Sequence, residues 1–162
     1  MAYSFNIYDQ WGLISIEFRG ELVGAETDEA ILTILRDMPL LERRNITRIG
    51  IDWRKVSAAS LLDTDGAKVK NSAKRLKAIL EINSEEYAKF LENLFHATLI
   101  DPSTPVAEIL VERLNRVRPN YSEQVMDLQR VHRSAELPQG VCMTQKQYLQ
   151  LLNLPPNFDL SD

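Results

Sequence analysis

The residues Asp63-Thr64-Asp65-Gly66 concentrate the polar chemistry of this chain, and Lys68 and Lys70 follow at once. Carboxylates just ahead of a basic amphipathic segment can cap a helix, each worth about 1 kcal/mol against alanine. Fixed negative charge is favoured at that end of a helix. A hydroxyl there can accept phosphate, so the turn can also serve as a regulatory, partner-facing site. An Asp-x-Asp pair after a strand further suggests phosphoryl transfer or a bound cation. Against it, Ala67 stands where that pattern needs a threonine, and a calcium loop needs further oxygen ligands.

Other reactive groups are sparse. His96 and His132 are the histidines and Cys142 the one thiol. A Cys–His pair could form a nucleophile, but no spacing or local motif joins them, and structural roles are expected. Lys68, Lys70, Lys74, Arg75 and Lys77, with Arg43, Arg44, Arg48, Arg54 and Lys55, could face acidic lipid or nucleic acid. The competing reading is a solvated helix face whose lysine stems cover apolar surface.

The elements that must position these groups are legible from periodicity. Residues 3–8 and 13–18 flank Asp9-Gln10-Trp11-Gly12, and Ile14, Ile16 and Phe18 alternate with polar residues, which predicts a hairpin ended by Gly20. Thr27 is placed to cap a helix carrying Ile31, Ile34, Leu35 and Met38, stopped by Pro39. Leu40–Asn45 reads as a charged connection into a buried strand, Ile46–Val56. After the acidic turn comes a helix over Ala67–Leu80, with Val69, Ala73, Leu76 and Leu80 facing inward.

Ser84 is placed to cap a further helix with the stripe Tyr87, Phe90, Leu91 and Leu94. A strand around Ala97–Ile100 follows. Thr104 and Pro105 then open a helix that turns Val106, Ile109, Leu110, Leu114 and Val117 inward. Gln124–Val131 is the expected last edge strand, Leu137–Gly140 a turn, and Thr144 the cap of a short helix with Tyr148, Leu149 and Leu152. The terminal FDLSD is expected to be mobile. Two strand–turn–helix units joined through a helix imply parallel strands with right-handed crossovers. Ile49, Ile51, Leu76, Leu80, Leu99, Ile109 and Leu110 are expected to be buried together.

Length and composition bound the function. A chain of 162 residues suits one domain, and 44% apolar with 26% charged residues is ordinary for a globular protein. A net charge of −4 argues against general nucleic-acid binding, which rests on neutralising phosphates. One cysteine cannot form an internal disulfide. No run reaches the roughly 20 apolar residues of a spanning helix, so a cytoplasmic location without membrane insertion is expected. No cofactor is expected either.

The order hairpin, helix, strand, D-T-D-G, basic helix, strand, D-P-S-T-P, helix resembles the STAS domain of anti-sigma-factor antagonists and sulfate-transporter tails. RIGIDWRKVSAASLLDTDGAKVKNSAKRLKA and HATLIDPSTPVAEILVERL carry the likeness, which spans roughly residues 5–117. A broader SpoIIAA-like branch, related to the lipid-binding SEC14 fold, is similar to about the same degree. The resemblance implies one α/β domain, a mixed sheet of about five strands with packed helices. Residues 1–120 would form the STAS-like part, and 121–162 a C-terminal extension packing on it, its last residues mobile.

In the antagonists a phosphorylated Ser or Thr immediately precedes the motif glycine. Asp65 stands there in this chain, with Thr64 one residue earlier. The resemblance therefore implies a non-enzymatic regulatory module that binds a protein partner around Asp63, Thr64, Asp65, Gly66, Lys68 and Lys70. The alternative is a SEC14-like carrier of a small or lipid ligand, with an apolar pocket between Tyr87, Phe90, Leu94 and the sheet. A homo-oligomer is compatible with either.

Overall fold

In the computed structural model the described residues are 2–22, 26–59, 74–117 and 141–160. The alternation of the N-terminal segment produces its hairpin: β1 (Ala2–Tyr8) pairs antiparallel with β2 (Leu13–Leu22) around a tight helical turn at Asp9–Trp11. Gly20 does not end β2 as expected. The strand continues through it at φ 86°, between two register shifts against its other neighbour, a bulge that the missing Cβ permits.

Helix α1 (Glu26–Asp37) and the short helix α2 (Leu40–Arg44) lead into β3 (Arg48–Ala59). Thus Leu40–Asn45 is mostly helical rather than a plain connection. Thr27 lies inside the first turn of α1 instead of capping it, and its hydroxyl is buried with no hydrogen-bond partner. Helical residues 74–80 (α3) and α4 (Ser84–Glu92) follow. The cap of α4 is Asn83, one residue before the expected Ser84. Its side chain accepts from Glu86 N at 2.8 Å while the Glu86 carboxylate reaches back to Asn83 N, a reciprocal box. The remaining elements are β4 (Phe95–Leu99), α5 (Ala107–Val117), β5 (Val141–Cys142) and α6 (Gln145–Leu151). Thr144 caps α6 as its sequence suggests, accepting from Gln147 N at 3.2 Å.

The strands form one mixed sheet in the order β1-β2-β3-β4-β5, with only the β1–β2 pair antiparallel. This is the α/β class and the five-stranded mixed sheet expected. Its fifth strand, however, is Val141–Cys142, paired with Thr98 and Leu99. The segment expected there, Gln124–Val131, lies outside the described residues. Two residues carry no alternation, so the sequence offers no signal for this strand.

Both faces of the sheet are covered. Ile14, Ile16, Phe18, Ile49, Ile51 and Trp53 point to the first face and join Ala30, Ile34 and Leu35 of α1, Leu91 and Leu94, and Leu110 of α5. On the second face Leu13, Ala97, Leu99 and Cys142 pack under Tyr148, Leu149 and Leu152. Phe158 stacks edge-on against Tyr8 and Trp11 at 5.3 and 5.6 Å, closing this layer. The expected single core is therefore corrected at three residues, Leu99, Ile109 and Leu76. Leu99 belongs to the second face, and Ile109 is 36% exposed on the outside of α5, one position round from the buried Leu110. Leu80 is fully buried, whereas Leu76 only flanks the first cluster.

Arginines knit these layers together. Arg43 and Arg44 donate to the Ile79, Leu80 and Glu81 carbonyls at 2.6, 2.8 and 2.7 Å, satisfying acceptors that the end of α3 leaves open. Arg48 donates to the Trp11, Leu152 and Asn153 carbonyls and lies over the Trp11 and Phe95 rings. Among the described residues no helix is long and apolar enough to cross a membrane.

Candidate functional site

Asp63, Thr64, Asp65, Gly66, Lys68 and Lys70 lie outside the described residues. What is described is their frame. The chain enters their segment from Ala59, at the carboxyl end of β3, and leaves it into α3. Arg75 of α3 makes a bidentate pair with Glu29 of α1, which holds that carboxyl below its ordinary range. The Lys77 ammonium sits 5.8 Å from the Tyr87 ring centre, a cation–π placement. At the same end of the sheet the turn after β4 is rigid. Asp101 accepts from Ser103 N and Oγ at 3.0 and 2.7 Å, bonds that keep its carboxyl acidic, and Thr104 Oγ1 donates back to the Asp101 carbonyl at 2.9 Å.

The basic cluster read from the sequence does not converge. Arg43, Arg44 and Arg48 hold backbone carbonyls, Arg54 pairs with Asp52 at 2.8 Å, and Lys55 pairs with Glu17 at 3.2 Å. Cys142 and His96 also fail to meet. Strand alternation puts His96 on the first face, beside Ile49, and Cys142 on the second. Burial pushes the Cys142 thiol up to about 12, which removes the thiolate a nucleophile needs. His132 lies outside the described residues.

His96 carries a pH signature instead. Burial lowers its imidazole to about 4, against roughly 6.5 in an unfolded chain. Between those values the unfolded state binds the extra proton, so stability is complete above about pH 6.5 and falls as pH drops toward 4. The residue keeps some accessible surface, so the expected loss is about 1–2 kcal/mol, less than full burial would give. Denaturant melts across this window should show it, and His96→Gln should flatten the slope. An equally steep slope in the variant would assign the loss to carboxylates.

The second face holds a polar cavity that the sequence did not announce. About 330 Å³ in volume, it is lined by Ser4 and Asn6 of β1, Ser15 and Glu17 of β2, Asp52 and Arg54 of β3, and Gln145 and Tyr148 of α6. Tyr148 is 1% exposed, and its hydroxyl lies over Gly50, where an added Cβ would come within 2.1 Å of it. The polar neighbour of the Tyr148 hydroxyl is the Ser15 hydroxyl, with which it forms no hydrogen bond of good geometry. Burial holds it far above the ordinary phenol range, offset in part by the neighbouring Ser15 hydroxyl. It is therefore a neutral donor kept from water, an arrangement that costs about 1–3 kcal/mol unless a partner arrives.

Beside it Glu17 and Asp52 are register neighbours on adjacent strands. Like charges so placed repel, and Arg54, Lys55 and Arg19 offset them. The available signal was Gly50, a glycine inside an otherwise branched strand, which marks close approach of another group.

Of the apolar pocket expected beside the inserted helix, only the Phe90 side opens onto a space among the described residues. Leu91 and Leu94 are buried in the core, and Tyr87 and Phe90 pack against it. That space is an open groove of about 620 Å³ lined by Phe90 with Ile46, Leu80, Ile82 and Phe95, and by Arg44, Arg48, Glu86 and Lys89. No cluster of His, Cys, Asp and Glu among the described residues could hold a metal ion.

No protein-family model matches the chain, and no curated protein matches it. Among solved structures the chain is similar to the anti-sigma factor antagonist SpoIIAA in its unphosphorylated form, with a TM-score of 0.34 and 14% sequence identity. The alignment covers 68% of this chain and 82% of that one. No residue role is carried across this likeness.

Proposed function

We propose that this chain is a non-catalytic regulatory module that docks a protein partner through Asp63, Thr64, Asp65 and Gly66, with Lys68 and Lys70 beside them. The supporting observation is the origin of their segment. It leaves the carboxyl end of β3, the middle strand of the sheet, and open α/β sheets bind at the carboxyl ends of their parallel strands. The D-T-D-G motif and its resemblance to STAS domains add the chemistry. At the helix start that the sequence predicts, Asp65 would supply the charge that phosphorylation supplies in the antagonists.

A carboxylate at a helix start is stabilised by roughly 0.3–1 kcal/mol. Asp65→Asn keeps shape and much of the capping, so fold stability should hardly change. Affinity for a captured partner should shift several-fold, as about 1 kcal/mol implies. Titration of both forms against that partner is the test, and equal affinities would reduce the turn to an ordinary cap. Thr64 should carry at most sparse phosphate after incubation with a cell extract and ATP.

A second reading, a carrier of a small ligand, is favoured by the cavity under Tyr148. The lining there is mostly polar, with Phe5, Leu99 and Leu160 beside the polar groups, so the ligand would be a small polar molecule with an acceptor for the Tyr148 hydroxyl rather than a lipid tail. Native mass spectrometry of the purified chain separates the readings. A retained small mass that Ser15→Val releases supports the carrier, and its absence leaves the docking module.

A further inference from the structure

Natural sheets protect their edges with charges, prolines, bulges or a covering element, because an edge strand presents unpaired N–H and C=O groups. Among the described residues strand β1 shows none of these defences along its outer edge. It is the outer strand on its side of the sheet, and its residues, AYSFNIY, include no charge and no proline. Its pairing with β2 runs without a break from Ala2 to Tyr8, so no bulge turns the edge away. Five of its seven positions are exposed, and Phe5 and Tyr3 keep 45% and 38% of their surface in solvent. On β2 the neighbouring charge is Arg19, the register partner of Ala2, whose guanidinium donates to Ser4 Oγ at 3.5 Å.

We propose that β1 pairs with β1 of a second copy, antiparallel about a two-fold axis through Phe5, and joins two sheets into one. The strand is complementary to itself in that register. Phe5 meets Phe5, Tyr3 meets Ile7, Ser4 meets Asn6 and Ala2 meets Tyr8, so all seven residues pair and any shift loses some. Tyr3, Phe5 and Ile7 share the face of Phe18, Ile16 and Ile14. The symmetric partner thus extends the first apolar layer across the join, while Ser4 and Asn6 continue the polar side. No charge opposes a like charge, because the strand carries none.

Head-to-tail pairing is the competing arrangement. It would need the opposite edge, where β5 offers only Val141 and Cys142. A closed two-fold pair is therefore the arrangement that this sheet supports over an open chain. An extended peptide of another protein could add to the same edge, but nothing on the strand supplies a charge to select one.

Sedimentation velocity of the chain at about 100 µM, above a dissociation constant of order 10 µM, should give twice the 18.6 kDa monomer mass. Phe5→Lys puts two ammonium groups on the axis and should yield monomer, with unchanged circular dichroism because Phe5 lies at the solvent edge. Tyr3→Lys, opposite Ile7 of the second copy, should weaken association at least about ten-fold. Mixing Phe5→Lys with Phe5→Glu should restore a dimer that neither variant forms alone, since only a two-fold axis at this position brings the two charges together. A wild-type monomer at that concentration overturns the proposal. So does a dimer that persists in folded Phe5→Lys, or a mixture that stays monomeric.

Discussion

Gly50→Ala should destabilise the fold by about 1–3 kcal/mol, the range for forcing an extra group into a packed interior. The added methyl would stand 2.1 Å from Tyr148 Oη, 2.8 Å from its Cζ and 3.0 Å from Leu152 Cδ1. β3 cannot retreat, because it is bonded on both sides, to β2 and β4. The ring and α6 must move instead, and they are tied down. Leu152 and Asn153 accept from Arg48, and Leu149, Leu151 and Leu152 are buried. Urea unfolding should report the loss, and hydrogen exchange should place the largest deprotection in residues 141–152. A stability within about 0.5 kcal/mol of wild type would mean that the Tyr148 ring has another rotamer open to it. Tyr148→Phe combined with Gly50→Ala should recover part of the loss, because the 2.1 Å contact is to the hydroxyl.

Leu110→Ala should cost about 2–5 kcal/mol, the transfer and cavity cost of a buried leucine. Ile109→Ala, on the adjacent residue, should cost less than about 1 kcal/mol, as surface substitutions do. Leu110 is 1% exposed within the first-face cluster, while Ile109 is 36% exposed. The pair tests the rotation of α5 about its own axis by roughly one residue. Similar costs from thermal melts at the two positions would return Ile109 to the core side and reverse that orientation.

These two expectations mark where the amino-acid sequence stops being sufficient. Much of the fold is decided locally. The alternation Ile14-Ser15-Ile16-Glu17-Phe18 makes one face of a hairpin strand, and β2 buries that face. Thr144 ahead of Gln147 caps α6 through a bond three residues long. Short-range periodicity also places the helices around Glu26–Asp37 and Ser84–Glu92, within a residue or two at their ends, although the caps expected at Thr27 and Ser84 do not form. Together with the order of elements they yield the first four strands of the mixed sheet, whereas the fifth, Val141–Cys142, carries no such signal.

Which face a residue serves is another matter. Ile109 and Leu110 both satisfy a helical stripe, since a 3.6-residue period tolerates either, and the packing of α5 against the sheet selects Leu110. Ala97 and Leu99 read as one more core strand. The sequence does not reveal that their side chains belong to a second layer, supplied by residues 141–160.

The candidate sites divide the same way. The acidic turn and its lysines are contiguous, so their chemistry is visible from residue types alone. The cavity under Tyr148 draws on β1, β2, β3 and α6, and Arg48 reaches the Leu152 carbonyl across 104 residues of chain. No window of sequence holds those groups together, because their proximity comes from sheet register and from α6 closing over the second face. Gly50 alone hinted at it. Its missing side chain is uninformative until Tyr148 is seen to occupy the space.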